Sequence, residues 1–290
     1  MSPSHRPPTL VAVAHGSRDP RALPTVTALL DRVRALRPGL PVRLGHIELN
    51  APLLPDTLDA LPAGGDAVLV PLLFGRGHHV KHDLPRAAEA AAPRTRVRVA
   101  DPLGPHPLLA EALHDRLVEA GWRDDDPATR RHAGVVLAAA GSRDPDYGAA
   151  HLPDGAAHLP DGAAHLPDGA AHLPDGPATD GPATGGIPAL AALLGARLGG
   201  VPVVAAYASA AAPTVPEAVR ALAARGRTRV AVASCFTAPG LFATRSAAAA
   251  PWLASAPLGP HPALARLVLH RYDRALARGA APVPPAYASV

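Results

Sequence analysis

Between residues 10 and 120 the chain alternates short unbroken apolar runs with longer stretches in which apolar positions recur every three or four residues. The run "LVAVA" (10–14) is apolar throughout and stops at His15-Gly16-Ser17. A strand covered on both faces has this signature, because neither side of it meets water. Val26, Leu29, Leu30, Val33 and Leu36 then fall along one side of a helix. The same reading predicts strands over 41–49, 66–74 and 97–100, and helices over 56–61, 83–91 and 107–120. Gly64, Gly65 and Gly75 punctuate the third strand. Strands alternating with helices predict an α/β fold, a parallel sheet with helices on both faces.

The pattern then recurs in the same order. "AHGSRDP" (14–20) returns as "AAGSRDP" (139–145), with His15 replaced by Ala140. The 202–219 stretch aligns without gaps on 41–58, "VAVASCF" (230–236) on "VLVPLLF" (68–74), and "PLGPHP" occurs at 102–107 and 257–262. Agreement at this many places implies a duplication. The predicted architecture is two repeated domains, 1–125 and 126–290, each a four-stranded parallel sheet with flavodoxin-like winding, joined near "WRDDDPATRRH" (122–132). An insertion over 146–186 breaks the symmetry, and four copies of "AAHLPDG" occupy 149–176 of it. A Pro and a Gly in every unit exclude a coiled coil, so the expectation is an extended low-complexity loop. Its His151, His158, His165 and His172 leave two readings, a passive expansion or a tethered metal-collecting arm.

Composition narrows the function classes. The 290 residues are 48% hydrophobic but only 3% aromatic, so the core must be Ala, Val and Leu. The net charge of +4 comes from scattered arginines, without a basic run interleaved with aromatics, which argues against nucleic-acid binding. A lone cysteine, Cys235, rules out an internal disulfide framework and Cys-cluster zinc sites. The N-terminal "MSPSHRPPTL" has no apolar signal core and no 18-residue apolar span follows, so a soluble, cytoplasmic protein without a membrane partner is expected. Neither G-x-G-x-x-G nor G-x-x-x-x-G-K-[ST] is present, which argues against a nucleotide, and no G-x-S-x-G elbow occurs.

Ligands of parallel α/β sheets bind beyond the carboxyl ends of the strands. His15 ends the first strand, Glu48 the second, and His78 and His79 follow the third. Two imidazoles and a carboxylate suit a divalent transition metal with open positions, or an acid/base set. Singly, each residue is as readily a turn histidine or a solvated carboxylate. The duplication supplies an internal control: the equivalents of His15, Glu48 and His79 are Ala140, Ser209 and Leu241. All three vanish together while neighbouring letters persist, which favours function over scaffold.

"LVAVAHGSRDPRA", "GHIELNAPLLPDTL" and "VPLLFGRGHHVKHDLP" together resemble the signature stretches of the class II sirohydrochlorin chelatases. The resemblance covers 9–120 well and 133–270 in weakened form. It implies ATP-independent insertion of Co2+ or Fe2+, with Ni2+ a further candidate, into sirohydrochlorin for cobalamin or sirohaem. The metal is then a substrate, and no organic cofactor is implied. The family's metal-site positions map onto His15, Glu48 and His79, with His78 at a variable position. Ser17, Arg18, Arg76, Lys81 and Arg86 lie in or beside the signature loops. They are candidates to pair with the carboxylates of the tetrapyrrole, with ordinary solvated surface as the alternative for each. A non-catalytic metal-binding or delivery protein with the same residues is the alternative function. The duplicated half is expected to stand in for a partner subunit, giving a monomer with an internal pseudo-dimer.

Overall fold

The computed structural model describes residues 7–142 and 186–279. The AAHLPDG copies and their histidines lie outside the described residues. The first half runs β1 (Thr9–Ala14), α1 (Ala22–Leu36), β2 (Val42–His46), α2 (Leu54–Asp59), β3 (Asp66–Pro71), α3 (Leu84–Ala91), β4 (Arg96–Val99) and α4 (Pro107–Glu119). A short helix, α5 (Pro127–His132), leads into β5 (Ala133–Ala139). Its N-terminus is capped by Asp126, whose carboxylate accepts from the Ala128 amide at 2.9 Å. The second half continues with α6 (Gly186–Arg197), β6 (Val203–Tyr207), α7 (Val215–Ala224), β7 (Arg229–Ser234), α8 (Leu241–Ala248), β8 (Leu253–Ala254) and α9 (Pro262–Gly279).

Both sheets are wholly parallel, in the orders β2-β1-β3-β4 and β6-β5-β7-β8. Two copies of one α/β winding are what the repeated sequence predicts. Alternate residues of β1 serve opposite faces. Val11 and Val13 pack outward with Leu54, Leu58 and Leu84 of α2 and α3, whereas Leu10, Ala12 and Ala14 join a large cluster shared by the two halves. A matching outer cluster, with Val136, Ala138, Val215 and Leu222, covers the second sheet. Burial on both faces is why each central strand reads as an unbroken apolar run.

The halves are locked by exchange of their last helices. Helix α4 packs on α6 and reaches β7 of the second half, while α9 packs on α1 and reaches β3 and β4 of the first. The tie is reciprocal: Arg116 on α4 donates to the Leu258 carbonyl at 3.0 and 2.8 Å, and Arg271 on α9 donates to the Leu103 carbonyl at 3.3 Å. Leu103 and Leu258 are the leucines of the two PLGPHP copies. The histidines of those copies are N-caps, His106 accepting from the Leu108 amide and His261 from the Ala263 amide.

Some strands are shorter than their apolar runs. β3 ends at Pro71, yet Leu72 and Phe74 are buried. Apolarity there records core packing after the ladder has stopped. β2 likewise ends at His46, although Ile47 and Glu48 still donate to the carbonyls of Ala14 and His15. Among the described residues, no helix is long and apolar enough to cross a membrane.

Candidate metal and substrate cleft

His15 is the first residue beyond the carboxyl end of β1. The Glu48 amide donates to the His15 carbonyl at 3.0 Å, which fixes the two backbones side by side. Gly16 makes that approach feasible. It sits at φ 106°, and a Cβ there would lie 1.9 Å from the Glu48 carbonyl oxygen. The outcome is a His15 Nδ1 to Glu48 Oε1 distance of 3.5 Å, with both side chains about half exposed.

His79 arrives from the third strand end. It opens a single π-helical turn, His79–Asp83, that runs into α3, a distortion often found at functional sites. The sequence pattern predicts a plain helix from 83 and misses this turn. The turn brings His79 Nδ1 within 2.6 Å of Asp83 Oδ2. A neutral imidazole donating from Nδ1 to a carboxylate presents its Nε2 lone pair outward, the arrangement typical of a metal-ligating histidine. The rings of His15 and His79 meet edge-on, centroids 4.9 Å apart. His78 lies beside them, its ring 6.1 Å from His79 and 4.7 Å from His82. Among the described residues, no three His, Cys, Asp or Glu side chains form a ready-made metal cage.

These side chains border a cleft of about 1020 Å³ between the halves. His15, Glu48, His78 and His79 line it from the first half, and Ala140, Ser209 and Leu241 from the second. At Ala140 and Ser209 the second half keeps the backbone of His15 and Glu48. The Ser209 amide donates to the Ala140 carbonyl at 3.0 Å, and Gly141 sits at φ 86° against the Ser209 carbonyl, 1.9 Å from where a Cβ would be. This loop is thus kept in both halves, while the candidate ligands lie in the first alone.

Of the five candidate substrate contacts, Ser17 and Arg18 line the cleft; Arg76, Lys81 and Arg86 are not among its lining residues. Arg76 pairs with Asp101 at 2.5 Å, and Asp101 also pairs with Arg278 at 2.5 Å. Beside Arg18, hydrogen bonds from Arg21 hold the Asp19 carboxyl down at about 2, so this cleft carboxylate stays ionised. Cys235 also lines the cleft, but burial pushes its thiol well up, which suits a packed side chain and not a nucleophile.

Three participants escape the sequence reading. Asn50 accepts the Ser17 amide at 2.7 Å and ties the loop after β1 to the loop after β2. His46 is buried at the cleft, its Nδ1 3.1 Å from the Pro52 carbonyl. Asp83 orients His79. The internal comparison held a signal for all three, since their second-half equivalents are Ala211, Tyr207 and Arg245.

The architecture defines a duplicated parallel α/β protein with candidate metal ligands at the strand ends of one half. The chain belongs to the CbiX family, whose model matches residues 9–120 and 178–275. It is 29% identical over 143 residues to a sirohydrochlorin ferrochelatase of Bacillus subtilis, covering 47% of this chain and 52% of that protein. A sirohydrochlorin cobaltochelatase of Sulfurisphaera tokodaii is 34% identical over 80 residues, 27% of this chain and 66% of its own. The chain thus spans about half to two thirds of the length of these relatives. Among solved structures, SirB from Bacillus subtilis with Fe3+ superposes with a TM-score of 0.65 at 20% identity, over 93% of this chain and 96% of that one. A multi-domain protein of Deinococcus radiodurans with structural similarity to chelatases gives 0.59 at 19% identity, over 92% and 55%. At these identities the structural likeness establishes the fold.

Proposed function

We propose that this protein inserts a divalent metal, Co2+ or Fe2+, into sirohydrochlorin, and that His15, Glu48 and His79 carry the metal. The observation behind this reading is their convergence from three strand ends on one cleft, set against their joint loss in the second half. The named activities of the relatives agree with it.

Insertion exchanges the metal ion for two pyrrole N–H protons, so the protein must bind M2+ loosely, release it to the ring nitrogens and accept protons. Two imidazoles and a carboxylate without a closed cage leave positions for the ring nitrogens to enter. Asp83 holds the His79 ring so that Nε2 is the donating atom. After metal transfer, the His15 and His79 imidazoles and the Glu48 carboxylate are the bases at hand for the displaced pyrrole protons. Arg18 and the Ser17 loop stand where they can meet peripheral carboxylates. With the second half supplying the other wall, the site is complete within one chain, and we propose a monomer.

Metal-free sirohydrochlorin incubated with the protein and Co2+, or anaerobically with Fe2+, separates this function from a delivery protein. Conversion of the free-base absorption spectrum to that of the metallated ring, faster than without protein, is expected. Metal binding without faster conversion would favour delivery.

A further inference from the structure

The loss of ligands from the second half raises the question of what replaced them. Leu241 occupies the position of His79, at the start of α8. Its side chain is 61% exposed, and the adjacent Phe242 is 37% exposed. Scattered exposed large apolar side chains are ordinary, but a cluster of them marks an interaction site. Eight are strongly exposed among the described residues, and four of them, Leu23, Leu49, Leu241 and Phe242, line this one cleft.

Leu241 is held close to the ligand loop. Gly240 replaces His78, and a Cβ built on it would lie 3.3 Å from Ser17 Oγ. The start of α8 therefore abuts the loop that carries His15. Deeper in, Thr237 donates to the Leu72 carbonyl at 3.0 Å and pins the second-half loop to the first half. The two walls of the cleft are thus fixed relative to one another and differ in chemistry. The first-half side carries imidazoles and a carboxylate together with Leu23 and Leu49; the second-half side carries Leu241 and Phe242 on a helix start and no charged or imidazole side chain among its lining residues.

We infer that Leu241 and Phe242 form an apolar ledge that seats one face of the conjugated macrocycle, leaving the opposite face to His15 and His79. This deepens the proposed chelatase reading and rests on it. A flat ring with an apolar face and charged edges matches a cleft whose one wall is apolar and whose rim holds Arg18. The ledge makes the two ring faces inequivalent, so metal is delivered from the first half alone. Duplication followed by loss of the second histidine then creates a positioning surface in place of a redundant metal site.

The experiment separates ring binding from insertion. Binding of metal-free sirohydrochlorin is titrated through its own fluorescence, without metal, and insertion of Co2+ is followed by absorption. Leu241→Ser and Phe242→Ser should each weaken ring binding about tenfold, the loss expected for one well-covered apolar side chain, with the rate at saturating ring changed far less. Leu241→Gln and Phe242→Gln keep side-chain bulk and should weaken binding as well, so the test survives if a truncation unfolds. His15→Ala should bind the free ring like the unaltered protein and fail to insert metal. Leu36→Ser removes an exposed leucine that does not line the cleft and should leave binding unchanged. Unaltered ring affinity in all four ledge variants, with the wild type binding and turning over, would overturn the ledge and leave the chelatase reading standing. A wild type that binds no free ring would overturn both.

Discussion

The imidazoles of His15 and His79 leave different strands and meet edge-on, with ring centroids 4.9 Å apart. Glu48 completes the group, its Oε1 3.5 Å from His15 Nδ1. The second half reproduces the backbone of His15 and Glu48 with Ala140 and Ser209, whereas Leu241, at the His79 position, opens a regular helix in place of the π turn. Glu48→Gln removes charge at nearly constant volume. It should lower the insertion rate at least tenfold while the thermal unfolding midpoint stays within a few degrees. Initial rates and a melting curve on the same preparation check this.

Asp83 acts through His79. Its carboxylate lies 2.6 Å from His79 Nδ1, and loss of such a partner typically costs about 10–100-fold in metal affinity or activity. Asp83→Asn should therefore raise the metal concentration needed for half-maximal rate, with ring binding unaffected. Rates measured across a Co2+ series at saturating ring read this directly.

Gly16 and Gly141 are matched backbone positions with φ of 106° and 86°. In each, a Cβ would collide with the carbonyl of Glu48 or Ser209. Gly16→Ala and Gly141→Ala should each destabilise the protein by about 2 kcal/mol or more, from left-handed backbone strain together with the clash. Chemical denaturation compares them.

His261 links stability to pH. Burial and the nearby Arg116 hold its imidazole below the usual 6.5, and its Nδ1 accepts the Ala263 amide at the start of α9. Asp115, Glu111 and Glu119 oppose that shift without reversing it. A depressed folded-state value means that the unfolded chain takes up the proton first. The contribution of His261 is therefore present above pH 6.5 and is lost as pH falls through the lower folded-state value. Stability between pH 7 and 5 should fall less steeply in His261→Asn, which keeps an N-capping acceptor and removes the titration. Denaturation midpoints across that range decide it.

Much of this fold is legible in the chain because both faces of each central strand are buried. Apolar runs such as 10–14 and 68–74 mark the strands, and the repeat marks the second sheet. His15, Glu48 and His79 were legible for a different reason, since a duplicated chain carries its own comparison. The exchange of α4 and α9 was not legible. Helical periodicity reports that a face is apolar but not which sheet covers it, and the packing of α4 on α6 and of α9 on α1, with the reciprocal bonds of Arg116 and Arg271, reveals the partner. Nor was the π turn at His79, since it depends on how α3 meets the cleft. Asn50 escaped because its partner, Ser17, is set by loop geometry; Asp83 stands four residues after His79, a spacing that pairs them only because the helix extends back through the π turn.

The most direct test compares single-turnover Co2+ insertion into sirohydrochlorin by the wild type, by His15→Ala with His79→Ala, and by Ser209→Ala at the pseudo-equivalent of Glu48. The double variant should fall to the rate without protein while its circular dichroism stays unchanged, and Ser209→Ala should insert metal close to the wild-type rate. A double variant that retains wild-type turnover, or a folded Ser209→Ala that loses it, would contradict placement of the chemistry on the first-half wall.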